Sequence, residues 1–200
     1  MLSLFFDALC PHRCIACDQI CHLDTFCKHC RPLLEASNLN SLFLFQGPWR
    51  KAIQQAKFKP DEIRARRLVR FACHQSFPWD AKQFQGITFV PIHWRRRIQR
   101  GFDLSGLFAS ALAKQLKLPV LDLVRSIRFE PPSTLKKNRE ERILSLKHRF
   151  QSRSCHLGPL RLLLVDDVST TGATLQTVAR LLTQDGHAVQ TYSLAQTPKK

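Results

Sequence analysis

From Gly86 onwards, short apolar runs of strand length alternate with amphipathic stretches of helical length. "GITFVPI", Gly86 to Ile92, is β-branched and aromatic and bounded by Gly and Pro, which predicts a strand. "FDLSGLFASALAKQLKL" follows and sets Leu104, Leu107, Phe108, Ala111, Leu112 and Leu116 on one helical face, with Asp103 as N-cap. "LPVLDLV" reads as a second strand, "RLLLV" as a fully apolar one, "GATLQTVARLLTQ" as a helix ended by Gly186, and "HAVQTYSLAQ" as a last strand. Upstream, "PDEIRARRLVRFACHQSF" has Ile63, Leu68, Phe71 and Ala72 near the helical period, with Pro60 to start the helix and Pro78 to close it. Strands alternating with helices of these lengths predict an α/β fold, a parallel sheet covered on both faces.

The N-terminal part has a different pattern. Six of the eight cysteines fall between Cys10 and Cys30, among too few apolar residues for a core of their own. This predicts a small module over 1–40, then a linker-like passage "EASNLNSLFLFQGPW" and a main domain over 41–200. No run approaches the ~18 apolar residues that span a bilayer, and the N-terminus lacks the marks of a signal peptide, so a cytoplasmic protein is expected. In that compartment thiols stay reduced, and the cysteines read as metal ligands. Cys14-x2-Cys17 and Cys27-x2-Cys30 form two knuckles that suit one tetrahedral zinc in a structural role; Cys10, Cys21, His12, His22 and His29 are alternative ligands.

Charge adds a second constraint. Lys and Arg number 31 against 15 acidic residues, a net charge of +16, which points to polyanionic partners such as nucleic acid or phosphorylated ligands. In "LLLVDDVSTTGATL", the strand ends on Asp166 and Asp167, where a parallel sheet binds its ligands. Two adjacent carboxylates accept hydrogen bonds from neighbouring ribose hydroxyls, or share a magnesium ion with them. Ser169, Thr170, Thr171, Gly172, Ala173 and Thr174 then turn into a helix and present hydroxyls and N–H groups to a phosphate. Together they describe a site for a sugar phosphate. No glycine–lysine loop upstream completes an NTPase.

These residues resemble the ribose-phosphate loop of the type I phosphoribosyltransferases, which bind phosphoribosyl pyrophosphate (PRPP). Thr170 stands where the purine-salvage members carry an aspartate that serves the base, and a threonine accepts no proton at neutral pH. "FVPIHWRRRIQRGFDLSGLFASALA", with the four-cysteine segment, "GPWRKAIQQAKFK" and "VDDVSTTGAT" in this order, resembles the ComF family over nearly the whole chain. The resemblance implies a type I phosphoribosyltransferase-like sheet flanked by helices, with a zinc-ribbon-like N-terminal module. It also implies a role in natural transformation, handling incoming single-stranded DNA beside other uptake proteins such as a helicase or a membrane channel. Two departures stand out. Where the family has Asn and Gln after RGF, this chain has Asp103 and Leu104, and "PPSTLKKNREERILS" follows the family only loosely, through Thr134, Arg139 and Arg142.

In this reading Asp166 and Asp167 hold the ribose, directly or through magnesium, and the loop from Ser169 to Thr174 holds the 5′-phosphate. Arg95, Arg96, Arg97 and Arg100 are candidates for the pyrophosphate, and Lys136, Lys137, Arg139 and Arg142 lie on a polar, flap-like segment. Trp94 among Arg95, Arg96, Arg97 and Arg100, with Arg139 and Arg142, offers stacking and charge to a single strand. No acceptor base or general base is legible. Three readings stay open: a sugar-phosphate-binding DNA-handling factor, a phosphoribosyltransferase with an unidentified acceptor, and a DNA-binding regulator with PRPP as effector.

Overall fold

A computed structural model describes residues 12–21, 25–37, 40–58, 61–129, 148–153 and 158–198. Its centre is a four-stranded, all-parallel sheet in the order β1 (Ser41–Leu44), β6 (Ala188–Gln196), β5 (Arg161–Ser169), β2 (Gly86–Phe89). Strand β5 is central, and Leu162, Leu163, Leu164 and Val165 are all fully buried. Their alternation sends Leu163 and Val165 to one face, in a core with Trp49, Leu68, Phe108 and Leu112, and Leu162 and Leu164 to the other, with Val178 and Leu182. A strand covered on both sides has no polar face, which is why the run reads as uniformly apolar.

Three helices cover the first face: α1 (Gly47–Phe58), α2 (Glu62–Cys73) and, beyond a short α3 (Trp94–Arg100), α4 (Leu104–Leu116). Helix α5 (Ala173–Gln184) covers the second face, beside an antiparallel pair, β3 (Val124–Ser126) with β4 (Phe150–Ser152). The Asp103 side chain accepts from the Ser105 and Gly106 N–H groups and caps α4, as its sequence predicts.

Several local expectations change. The linker-like passage contains β1 and the start of α1: a four-residue edge strand between polar flanks carries too little pattern to stand out. Asp61 caps α2, which ends at Cys73, well before Pro78; Ile63, expected on its buried face, is 75% exposed. Pro60 lies outside the described residues. The stretch "LPVLDLV" forms only a one-residue parallel bridge, Val120 to Ile87, before β3, because Pro119 has no N–H to extend a ladder. The basic turn after β2 is helix α3, capped by the His93 ring, which accepts the Arg95 N–H, and closed by Gly101 at φ 79°. The polar segment expected to form a flap lies mostly outside the described residues, with Thr134, Lys136, Lys137, Arg139 and Arg142.

The cysteine-rich segment does not stand apart from this core. Phe26 packs on Trp49 and Phe71, with ring centroids 5.9 and 5.0 Å away, and Trp49 donates its indole N–H to the Leu194 carbonyl at 2.9 Å. With Ile15 also fully buried, the segment lends its few large apolar side chains to a core shared with α1, α2 and β6.

Candidate functional site

All four strands of the sheet run parallel, so their C-terminal ends share one rim. Strand β5 extends past the expected Val165 to Ser169, so Asp166 and Asp167 are strand residues, each 8% exposed. Asp166 Oδ1 accepts from Ser105 Oγ at 2.9 Å and from the Asp167 N–H at 2.8 Å. The Asp167 carboxylate meets Lys57 Nζ at 2.7 Å. Burial pushes the Asp166 carboxyl up to about 8, and the neighbouring Asp167 charge adds to this; Lys57 and the two hydrogen bonds offset only part of it.

Ser105 and Lys57 are absent from the residues picked out by sequence. Ser105 lies 61 residues before Asp166, and its place at the helix start shows only that a polar residue interrupts the apolar face. Lys57 follows Ile53 by one helical turn on the buried stripe of α1, a signal that was available. Asp103 also does more than cap. Its Oδ1 accepts from Ser105 and Gly106 while Oδ2 accepts the Ile92 N–H at 3.0 Å, which ties the segment after β2 to α4. An asparagine, with one acceptor oxygen, cannot make both sets of contacts. Burial raises the Asp103 carboxyl, against these three N–H groups. Leu104, the second departure from the family pattern, is a core residue, 2% exposed.

After Ser169 the chain turns through Gly172 at φ 76°, a conformation that favours glycine, and enters α5 with this residue, which has no side chain to cap the helix, at the N-cap. Asp166, Ser169, Thr170, Gly172, Ala173 and Thr174 wall a small hollow there. Thr171 Oγ1 accepts the Ala173 N–H at 3.4 Å. The other side of the same loop borders a cavity of about 510 Å³.

The arginines of α3 divide in two. Arg95 and Arg97 are exposed, and the Arg95 guanidinium lies over the rings of Trp94 and Phe129 at 5.3 and 5.6 Å. Arg96 and Arg100 are half-buried. Burial lowers Arg100 despite the Asp167 and Asp103 charges that favour its ionised form, and its guanidinium rests over Phe58 at 5.9 Å. Arg100 is thus a half-buried α3 arginine within the electrostatic influence of Asp167 and Asp103. Burial, then Arg95, Arg149 and Arg96, lower His93 and favour the neutral ring that caps α3. Trp94 stands 57% exposed.

The sulfur atoms of Cys14, Cys17, Cys27 and Cys30 all lie within 4.8 Å of one another, with Cys17 and Cys27 3.6 Å apart. A tetrahedron of Zn–S bonds of ~2.3 Å has edges of ~3.8 Å, so this thiol set fits a metal such as zinc in a closed site. Burial opposes ionisation of Cys27, but the N–H groups of Cys30 and His29 and the neighbouring thiols outweigh it and bring Cys27 down to about 7. Burial raises Cys30, as do the neighbouring thiols. Of the alternative ligands, Cys10 and His22 lie outside the described residues.

Residues 104–200 match the phosphoribosyl transferase domain family. The chain is 26% identical over 190 residues to competence protein ComFC of Bacillus subtilis (strain 168), covering 91% of this chain and 76% of that protein. It is 27% identical over 194 residues to competence protein ComFC of Streptococcus pneumoniae, covering 94% and 83%. Among solved structures, orotate phosphoribosyltransferase from Aeropyrum pernix aligns at 21% identity with a TM-score of 0.39, over 68% of this chain. The chain spans 61% of that structure's length.

Proposed function

Since this chain belongs to the ComF family, with a phosphoribosyltransferase-type domain behind four clustered cysteines, we propose that it is a competence protein that binds PRPP or a related ribose phosphate and handles single-stranded DNA during natural transformation. One observation carries the ligand reading: a buried carboxylate pair at a strand end runs directly into a glycine turn and a helix N-terminus whose N-cap is Gly172. Asp166 and Asp167 accept the ribose hydroxyls. The N–H groups and hydroxyls from Ser169 to Thr174 take the 5′-phosphate, where the helix dipole favours negative charge. Arg100, with Arg96 and Arg97, neutralises a pyrophosphate, and Ser105 and Lys57 hold the carboxylates in place. Asp166 and Asp167 would hold a magnesium ion brought in with PRPP, which would supply positive charge to the ligand's phosphates. The four thiols, Cys14, Cys17, Cys27 and Cys30, would hold zinc as a structural ion. Thr170 leaves the loop without a proton acceptor, so the reading is one of binding, with no transfer step assigned.

The DNA part rests on the net charge of +16 and on Trp94 exposed among arginines. Calorimetry with PRPP and magnesium tests the ligand: the wild type binds, whereas Asp166→Asn and Asp167→Asn do not. A wild type that takes up no PRPP overturns this reading. For DNA, affinity for a single strand falls steeply with salt and survives Asp166→Asn; affinity unchanged by salt removes the DNA role.

A further inference from the structure

Both carboxylates at the end of β5 already have partners within the chain. Oδ1 of Asp166 accepts from the Ser105 hydroxyl and the Asp167 N–H, and Oδ1 of Asp167 meets Lys57 Nζ at 2.7 Å. The Lys57 and Asp167 side chains are only 18% and 12% exposed, so water and salt screen this pair far less than a surface one. The lysine is also held from behind. It lies in the last turn of α1, four residues after Ile53, on a helix whose Trp49, Ala52, Ile53 and Ala56 are fully buried and whose Trp49 indole is bonded to Leu194 of β6. Its charge suits the negative end of the helix dipole. Helix α1 carries no acidic residue of its own, so the anion that Lys57 meets comes from β5.

We propose that Lys57 is the resident cation of this carboxylate pair and keeps free divalent metal ions off it, so that the pair accepts magnesium only together with a phosphorylated ligand. Two adjacent carboxylates are by themselves attractive to a hard divalent cation. Here a bare magnesium ion would have to take the Asp167 oxygen from an ammonium, or settle beside a like charge. Displaced, Lys57 would be left without its anion where little water reaches it, and an unpaired charge in that setting is costly. A ligand that brings its own phosphates changes both conditions, because its negative charges offset those of the metal and offer Lys57 another anion. The flexible four-carbon stem lets the ammonium change partners while α1 stays in place. Lys57 therefore acts as a specificity-determining residue, which admits the metal with a sugar phosphate and refuses the metal alone.

The ligand half of this inference rests on the sugar-phosphate reading above; the metal half is tested with no ligand present. Mn²⁺ serves as the probe, since it favours the same oxygen ligands as magnesium and its free ion is counted by electron paramagnetic resonance. The full chain is titrated with Mn²⁺ as wild type, Lys57→Met, Lys57→Arg and the double variant Lys57→Met, Asp167→Asn. Lys57→Met takes up Mn²⁺ at least about tenfold more tightly than the wild type. Lys57→Arg, which keeps a cation at the position, stays with the wild type, and the double variant loses the gain. A gain below tenfold, or one that persists in the double variant, overturns the inference. Since Lys57→Met leaves Asp167 unpaired and costs stability, melting curves give a second readout: Mn²⁺ raises the melting temperature of this variant and leaves that of the wild type unchanged. Melting that Mn²⁺ shifts equally in both, or in neither, overturns it as well. The two readings fail separately. A wild type that binds no PRPP in the presence of magnesium overturns the ligand reading and leaves the Mn²⁺ comparison standing, whereas a wild type that takes up Mn²⁺ alone as tightly as Lys57→Met overturns this inference only.

Discussion

Asp166 is the most strained electrostatic position in the site, being buried beside a second carboxylate with one lysine to share between them. Its carboxyl is raised from 3.8 to about 8, so the fold favours the neutral form. The stabilisation is therefore complete below pH ~4, where folded and unfolded chains both carry the proton, and is lost as the pH rises towards 8. Asp166→Asn keeps an acceptor for Ser105 and for the Asp167 N–H and removes the charge. The variant should melt above the wild type at pH 8, by the equivalent of ~1–3 kcal/mol, with the gap closing towards pH 4, while PRPP binding is lost. A gap that stays constant from pH 4 to 8 would show that the buried charge is not its source. The two aspartates are legible in the sequence because they end an apolar run before a glycine turn. How far Asp166 is driven towards protonation depends also on Lys57 and Ser105, brought in from helices distant in the chain, which offset part of the effect of burial and of the Asp167 charge.

The four thiols are held by short turns, and their segment contributes Phe26 to the aromatic cluster formed with Trp49 and Phe71. Coupling between the metal site and helices α1 and α2 follows, since a segment this poor in apolar residues cannot hold Phe26 in place without its ligand sphere. The purified chain should hold one zinc ion, counted by atomic absorption. Chelation or Cys27→Ser should cost ~3 kcal/mol or more and shift tryptophan emission to longer wavelength as the buried Trp49 meets water. Unchanged melting and emission after complete metal removal would count against the structural role. Among the elements, β5, α4, α5 and β6 were readable because their apolar positions repeat over many residues. Strand β1 is too short to show a pattern. Helix α3, with arginines on several sides and no buried residue, has no apolar stripe, and its two ends are marked only by His93 and Gly101.

At the scale of the whole molecule, a net charge of +16 makes single-strand binding a matter of phosphate neutralisation, with aromatic stacking as a separate contribution. The two are separable on α3, where Trp94, Arg95 and Arg97 are exposed. Measured by fluorescence anisotropy over a range of salt, Trp94→Ala should weaken binding by ~1–3 kcal/mol and leave the salt slope unchanged. Arg97→Gln should lower that slope by ~0.7. If both variants bind like the wild type, the strand does not lie along α3.

Local chemistry in the sequence was enough to identify the α/β alternation, the four-thiol set and the carboxylate–glycine loop, because each depends on residues close together in the chain: periodicity within one element, knuckle spacing, or a turn following a strand. Tertiary structure decided the rest. It carried Lys57 and Ser105 to the carboxylates, half-buried Arg100 and left Trp94 and Arg97 outside, and joined Phe26 to the main core. It also gathered Asn40, Gln176 and Gln196 from three separate stretches of the chain around one cavity. Such groupings depend on how helices cross a twisted sheet, and no run of neighbouring residues encodes that packing.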